Sequence, residues 1–102
     1  MTPTDRPLLV FFTSRRSGPA RRMESLLAHI ARKERARLRV SKVDVDEQPE
    51  VAERFRVERV PSLALVVEKR VVKRIDGRAT APRIESMLAP HLGEEEPEAA
   101  VA

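Results

Sequence analysis

The clearest pattern in the chain is the unbroken apolar run LLVFF at residues 8–12, bounded by Pro7 and by Thr13-Ser14. A strand buried on both faces reads this way. A polar stretch broken by Gly18-Pro19 follows. Then Met23, Leu26, Leu27, Ile30 and Ala31 recur at i, i+3, i+4, i+7 and i+8. That spacing draws one apolar stripe along an amphipathic helix of about 17 residues. Ser17 stands at the N-cap position, and Pro19 falls in the first turn, where its missing N–H costs nothing.

Leu38, Val40, Val43 and Val45 mark a second strand within LRVSKVDVD, and Glu47-Gln48-Pro49 turns the chain. Val51, Ala52 and Phe55 form the inward face of a short helix. SLALVV (62–67) and VVKRI (71–75), joined by Glu68-Lys69-Arg70, read as a β-hairpin closed by Asp76-Gly77. Thr80 caps a last helix with Pro82 in its first turn and a stripe of Ile84, Met87, Leu88 and Leu92. The order is β-α-β-α-β-β-α. The first two strands, joined by a helix, are expected to be parallel through a right-handed crossover. The hairpin adds two antiparallel strands. The expected architecture is α/β, a four-stranded mixed sheet with helices on both faces.

At 102 residues the chain has the length of one domain. Three segments are expected: an N-terminal extension (1–6), the folded domain (7–92) and an acidic tail (93–102) whose composition argues for disorder. No apolar run has the roughly 18–20 residues of a membrane span. Met1 to Pro7 lacks a signal-peptide pattern, which makes the cytoplasm the expected compartment. Cysteine is absent, excluding disulfides, thiolate metal sites and thiol chemistry. With two His, no metal site or other cofactor is expected. Asp44, Asp46 and Glu47 are read as solvated acids at a strand end rather than as a cation site.

Net charge is +4, unevenly spread. Nine basic residues lie between Arg15 and Arg39 against Glu24 and Glu34, while the last ten residues carry four Glu and no base. Arg15, Arg16, Arg21 and Arg22 surround the start of the first helix and make a candidate anion site for an acidic peptide, a phosphate or a carboxylate. The chain has three Phe and no Trp or Tyr, so stacking platforms for single strands are nearly absent, and nucleic acid is not the expected partner. Ser17 lacks a base: His29 is about 18 Å further along the helix at 1.5 Å per residue.

With this element order, TSRRSGPARR and VSKVDVDEQPEVAERFRVERVPSL together resemble the thioredoxin family. The resemblance covers about residues 7–92 and implies a minimal thioredoxin fold. In that family a buried strand leads into Trp-Cys-Gly-Pro-Cys-Lys at a helix start. Here Ser17, Gly18, Pro19 and Ala20 occupy the motif, with Ser17 and Ala20 in the places of the two cysteines. Lys42, Asp46, Pro49, Phe55 and Val57 sit at family-like positions. Val60-Pro61-Ser62 resembles the element whose proline is cis, and Gly77 matches a family glycine. The family's extra N-terminal strand and helix have no counterpart here.

The departures carry chemical meaning. Disulfide exchange needs a thiolate and a second thiol to resolve the mixed disulfide. Ser17 offers an un-ionised alcohol and Ala20 offers nothing. The family's buried Asp is replaced by Phe11, and the Trp before the first Cys by Arg16. A laboratory knockout would be expected to keep that Asp and Trp. What the resemblance leaves is a surface, a groove of Arg15, Arg16, Ser17, Val60, Pro61 and Gly77 that takes an unidentified protein or acidic peptide by strand addition. The expected function is therefore a redox-inactive binding or scaffold module, not an enzyme. The alternatives are disulfide chemistry with a partner's cysteine, and non-specific nucleic-acid binding by the basic helix.

Overall fold

The computed structural model describes residues 6–92. The expected tail, and all of the expected N-terminal extension except Arg6, lie outside the described residues. The apolar run becomes β1 (Leu8–Thr13), followed by α1 (Gly18–Lys33), β2 (Arg39–Asp44), α2 (Pro49–Arg54), β3 (Ser62–Val67), β4 (Arg70–Asp76), α3 (Ala81–Leu88) and a 3-10 turn at Ala89–His91. The strands form one sheet in the order β2-β1-β3-β4. β1 pairs parallel with β2, with Phe12 opposite Val43, and antiparallel with β3, with Phe12 opposite Ser62. β3 and β4 are antiparallel, with a register shift at Leu65/Val66.

A strand hydrogen-bonded on both sides and covered on both faces has no polar side to show, which is why β1 is apolar from Leu8 to Phe12. Its residues alternate between two cores. Leu9 and Phe11 pack with Met23, Leu27 and Ile30 of α1 and with Ile84 and Leu88 of α3. Val10 and Phe12 face the other way, toward Val43, Ala64, Val51 and Phe55. The rings of Phe12 and Phe55 lie 5.3 Å apart at 56°. Each fully buried side chain of this size contributes about 1.5–3 kcal/mol. Helices cover both faces, α1 and α3 on one and the six-residue α2 on the other.

The ends of the elements follow local chemistry. The Ser17 hydroxyl accepts the Ala20 N–H at 3.1 Å and begins α1 where the sequence places its cap. Thr80 does the same for α3, accepting the Arg83 N–H at 3.4 Å. Glu68 and Lys69 both adopt positive φ, 52° and 71°, the backbone of a two-residue hairpin turn, so Arg70 belongs to β4. Leu38 is not part of β2: its N–H returns to the Glu34 carbonyl at 2.8 Å and closes the turn after α1.

Candidate functional site

The parallel pairing of β1 and β2 ends with Thr13 opposite Asp44, so the next residues of both strands emerge side by side. The Val45 N–H continues the ladder to the Thr13 carbonyl at 2.9 Å. Beyond it Asp46 reaches across to the β1–α1 loop. The Ser14 hydroxyl donates to one Asp46 oxygen at 2.6 Å, and the Arg16 guanidinium donates to the other at 2.8 Å. Ser14 Oγ in turn accepts the Arg16 N–H at 3.2 Å, and the Ser17 N–H closes a turn onto the Ser14 carbonyl at 3.0 Å. Four bonds thus fix the loop that carries Ser17.

The hydrogen bond from Ser14, with that from Arg16 second, holds the Asp46 carboxyl below the usual carboxylate range. Its own hydrogen bond and charge raise Arg16 in return. Asp44 is also engaged, its Oδ1 accepting the N–H groups of Asp46 and Glu47 at 2.8 and 3.3 Å. The acids at this strand end are therefore occupied as turn and loop braces. Arg15 makes a looser pair with Glu47 at 3.4 Å, both side chains well exposed.

At the start of α1 the Ser17 oxygen is spent on capping, and Ala20 is wholly buried. Phe11, in the place of the family's acid, is buried among apolar side chains of α1 and α3. His29 is exposed on α1, and His91 is half-buried beyond α3.

The Val60–Pro61 bond is cis. The Pro61 carbonyl accepts the Gly77 N–H at 2.8 Å, joining this loop to the end of β4. Gly77 has φ of +93°, a conformation that L side chains rarely adopt. The Ser62 hydroxyl donates to the Arg59 carbonyl at 2.7 Å, and Arg74 donates to the Phe55 carbonyl at 2.9 Å. Val60 is half-buried, and Pro61 is buried.

The four arginines of the candidate anion site do not act as one cluster. Arg15 and Arg16 turn toward the carboxylates after β2. Arg21 lines a depression together with Arg15, Lys42, Glu24 and Glu47. Arg22 folds back along its helix, its guanidinium 3.5 Å from where a Cβ on Gly18 would stand. It also lines a separate groove of about 470 Å³ with Arg78 and Arg83. The sequence reading missed the Ser14–Asp46 brace and the arginines contributed from the α3 side. Asp46 at a family-like position was the one signal for the first.

Residues 1–90 match the family model described as Thioredoxin. The chain is 34% identical over 85 residues to the thioredoxin of Alicyclobacillus acidocaldarius, covering 83% of this chain and 81% of that one. It is 36% identical over 92 residues to the thioredoxin of Mycobacterium tuberculosis, covering 87% and 79%. It also matches the bifunctional thioredoxin reductase/thioredoxin of Mycobacterium leprae at 36% identity, spanning 20% of that larger protein. Among solved structures, the germline-specific thioredoxin Deadhead of Drosophila melanogaster superposes with a TM-score of 0.78 at 29% identity, covering 84% of this chain and 81% of the other.

Proposed function

This chain belongs to the thioredoxin family, and because it contains no cysteine we propose that it is a redox-inactive member that binds an extended peptide of a partner protein. The surface proposed is the β1–α1 loop together with the cis-proline loop. One observation carries the reading. The loop stays fixed after every redox group has gone: Ser17 caps α1, and Asp46 holds Ser14 and Arg16. Ordering a loop costs conformational entropy. A loop already held by its own side chains meets a ligand without that cost at binding.

Among the described residues no helix is long and apolar enough to cross a membrane. The proposal makes the protein no disulfide oxidoreductase, although its named relatives are thioredoxins.

The test is a nuclease-treated capture from native lysate with the full chain and with Val60→Asp, followed by hydrogen exchange on the recovered complex. Val60 is the side chain to change because Arg16 also supports the loop. A partner that is lost with Val60→Asp and slows exchange at residues 14–18 and 60–62 supports the reading. A partner that both proteins retain, with protection elsewhere, overturns it.

A further inference from the structure

A second surface lies between the start of α1 and the start of α3. We propose that this groove docks an acidic segment of a partner protein, its carboxylates meeting Arg22, Arg78 and Arg83 around one apolar side chain. The proposal goes beyond the loop reading and does not need it: the groove borders that loop at Pro19 and at Arg78, next to Gly77, but Ser17, Val60 and Pro61 are not in its lining.

The groove holds about 470 Å³, within the range of small-ligand and side-chain pockets, and its floor is apolar, with Met23, Leu26 and Ala79 in its lining. Its rim is strongly cationic. Among the described residues, the ion pairs are made by Arg15, Arg16, Lys33, Arg37, Lys42 and Arg74. Arg22, Arg78 and Arg83 belong to none of them. Three guanidiniums therefore line one groove, and no carboxylate among the described residues is ion-paired with them.

The helices aggravate this charge. The first turns of α1 and α3 contain no acidic residue, yet Arg22 stands near the start of one and Arg83 near the start of the other. Helix starts favour acids and disfavour cations. The fold thus gathers uncompensated positive charge around an apolar floor. Carboxylates would pair with the guanidiniums, two oxygens to one fork. An aliphatic side chain between them would remove the floor from water. A bare phosphate satisfies only the first requirement. A nucleic acid, whose nearest fit to the floor would be a base, finds no aromatic side chain in the lining.

The probe is a synthetic peptide with two glutamates on each side of one leucine, titrated into the ¹⁵N-labelled full chain at low ionic strength. The expected result is shifts confined to residues 19–26 and 78–83, with affinity falling about tenfold as salt is raised from about 50 to about 200 mM. Arg22→Ser/Arg78→Ser/Arg83→Ser is expected to lose at least about tenfold in affinity, and a leucine-to-serine peptide several-fold. The triple variant is expected to melt no lower than the parent, because like charges have been removed. Should it lose structure, Arg78→Gln alone gives the same answer at smaller amplitude.

Val60→Asp, which sinks or supports the loop reading, is expected to leave this affinity unchanged, so the two proposals fail separately. The proposal is overturned by shifts along the basic far half of α1, by binding that survives the triple variant, or by no shift at millimolar peptide. Inorganic phosphate binding as well as the peptide would also overturn it, by showing a simple anion site.

Discussion

Asp46 takes hydrogen bonds from Ser14 and Arg16, and these draw its carboxyl below the usual carboxylate range. A group whose pKa is lower in the folded state stabilises that state above its unfolded value, about 4 for an aspartate. The contribution is lost as pH falls through the lower, folded value. The loop brace is therefore expected to hold at neutral pH and to release below about pH 4. The amide shifts of Ser14 and Arg16 should titrate in that acid window, and Asp46→Asn should abolish the step. A flat profile in the parent protein would show that the brace does not depend on the carboxylate. Phe11 makes the opposite point. It is 1% exposed, in the place where the family keeps an acid. Phe11→Asp would empty a packed site and bury a carboxylate without a partner, so a loss of more than about 3 kcal/mol is expected in urea unfolding. A small loss would mean that the site still accommodates the family's acid.

The same separation of local and distant effects holds for whole elements. Replacing the Ser17 cap by alanine is expected to cost about 1 kcal/mol, with unfolding as its measure, since the Ala20 N–H loses its acceptor. Caps, stripes and the hairpin could be read from the sequence because each depends on neighbours within a few residues. The apolar run at residues 8–12 likewise announced a strand covered on both faces. Arg22 stood out in the sequence as part of a candidate anion site, but its meeting with Arg78 and Arg83 gave no such sign, because it arises only through α1 and α3 packing on one sheet face. The Ser14–Asp46 contact, 32 residues apart, needs the parallel register of β1 and β2. No periodicity encodes that register. The charge at the helix starts adds an expectation of its own. Arg83→Glu, in the first turn of α3, should stabilise the isolated protein by about 0.3–1 kcal/mol at low salt, and the gain should fade as salt rises. A salt-independent or destabilising effect would show that the helix start is not electrostatically strained.

At the scale of the molecule, a thioredoxin-family scaffold stands without cysteine, and scaffold and thiol chemistry can be separated by putting thiols in. Ser17→Cys/Ala20→Cys places a thiol at the N-cap and a second one turn further on. The Ser17 oxygen already lies 3.1 Å from the Ala20 N–H, so a thiolate in its place would receive a backbone N–H at a helix start. That environment lowers a thiol's pKa and raises its fraction of thiolate at neutral pH. The second thiol would enter a site where Ala20 is 0% exposed, above a core that holds Phe11 instead of an acid. Burial without a basic partner raises that thiol's pKa and slows resolution of the mixed disulfide. The double variant is therefore expected to reduce a model disulfide through an accumulating mixed disulfide, with attack faster than release. The parent chain should give no turnover under the same conditions. Mass spectrometry of the trapped adduct, with the rate of thiol release beside it, checks both steps. Release as fast as attack would show that Phe11 leaves the second step unhindered, and absence of any adduct would show that the loop has lost the geometry of its family as well as its sulfur.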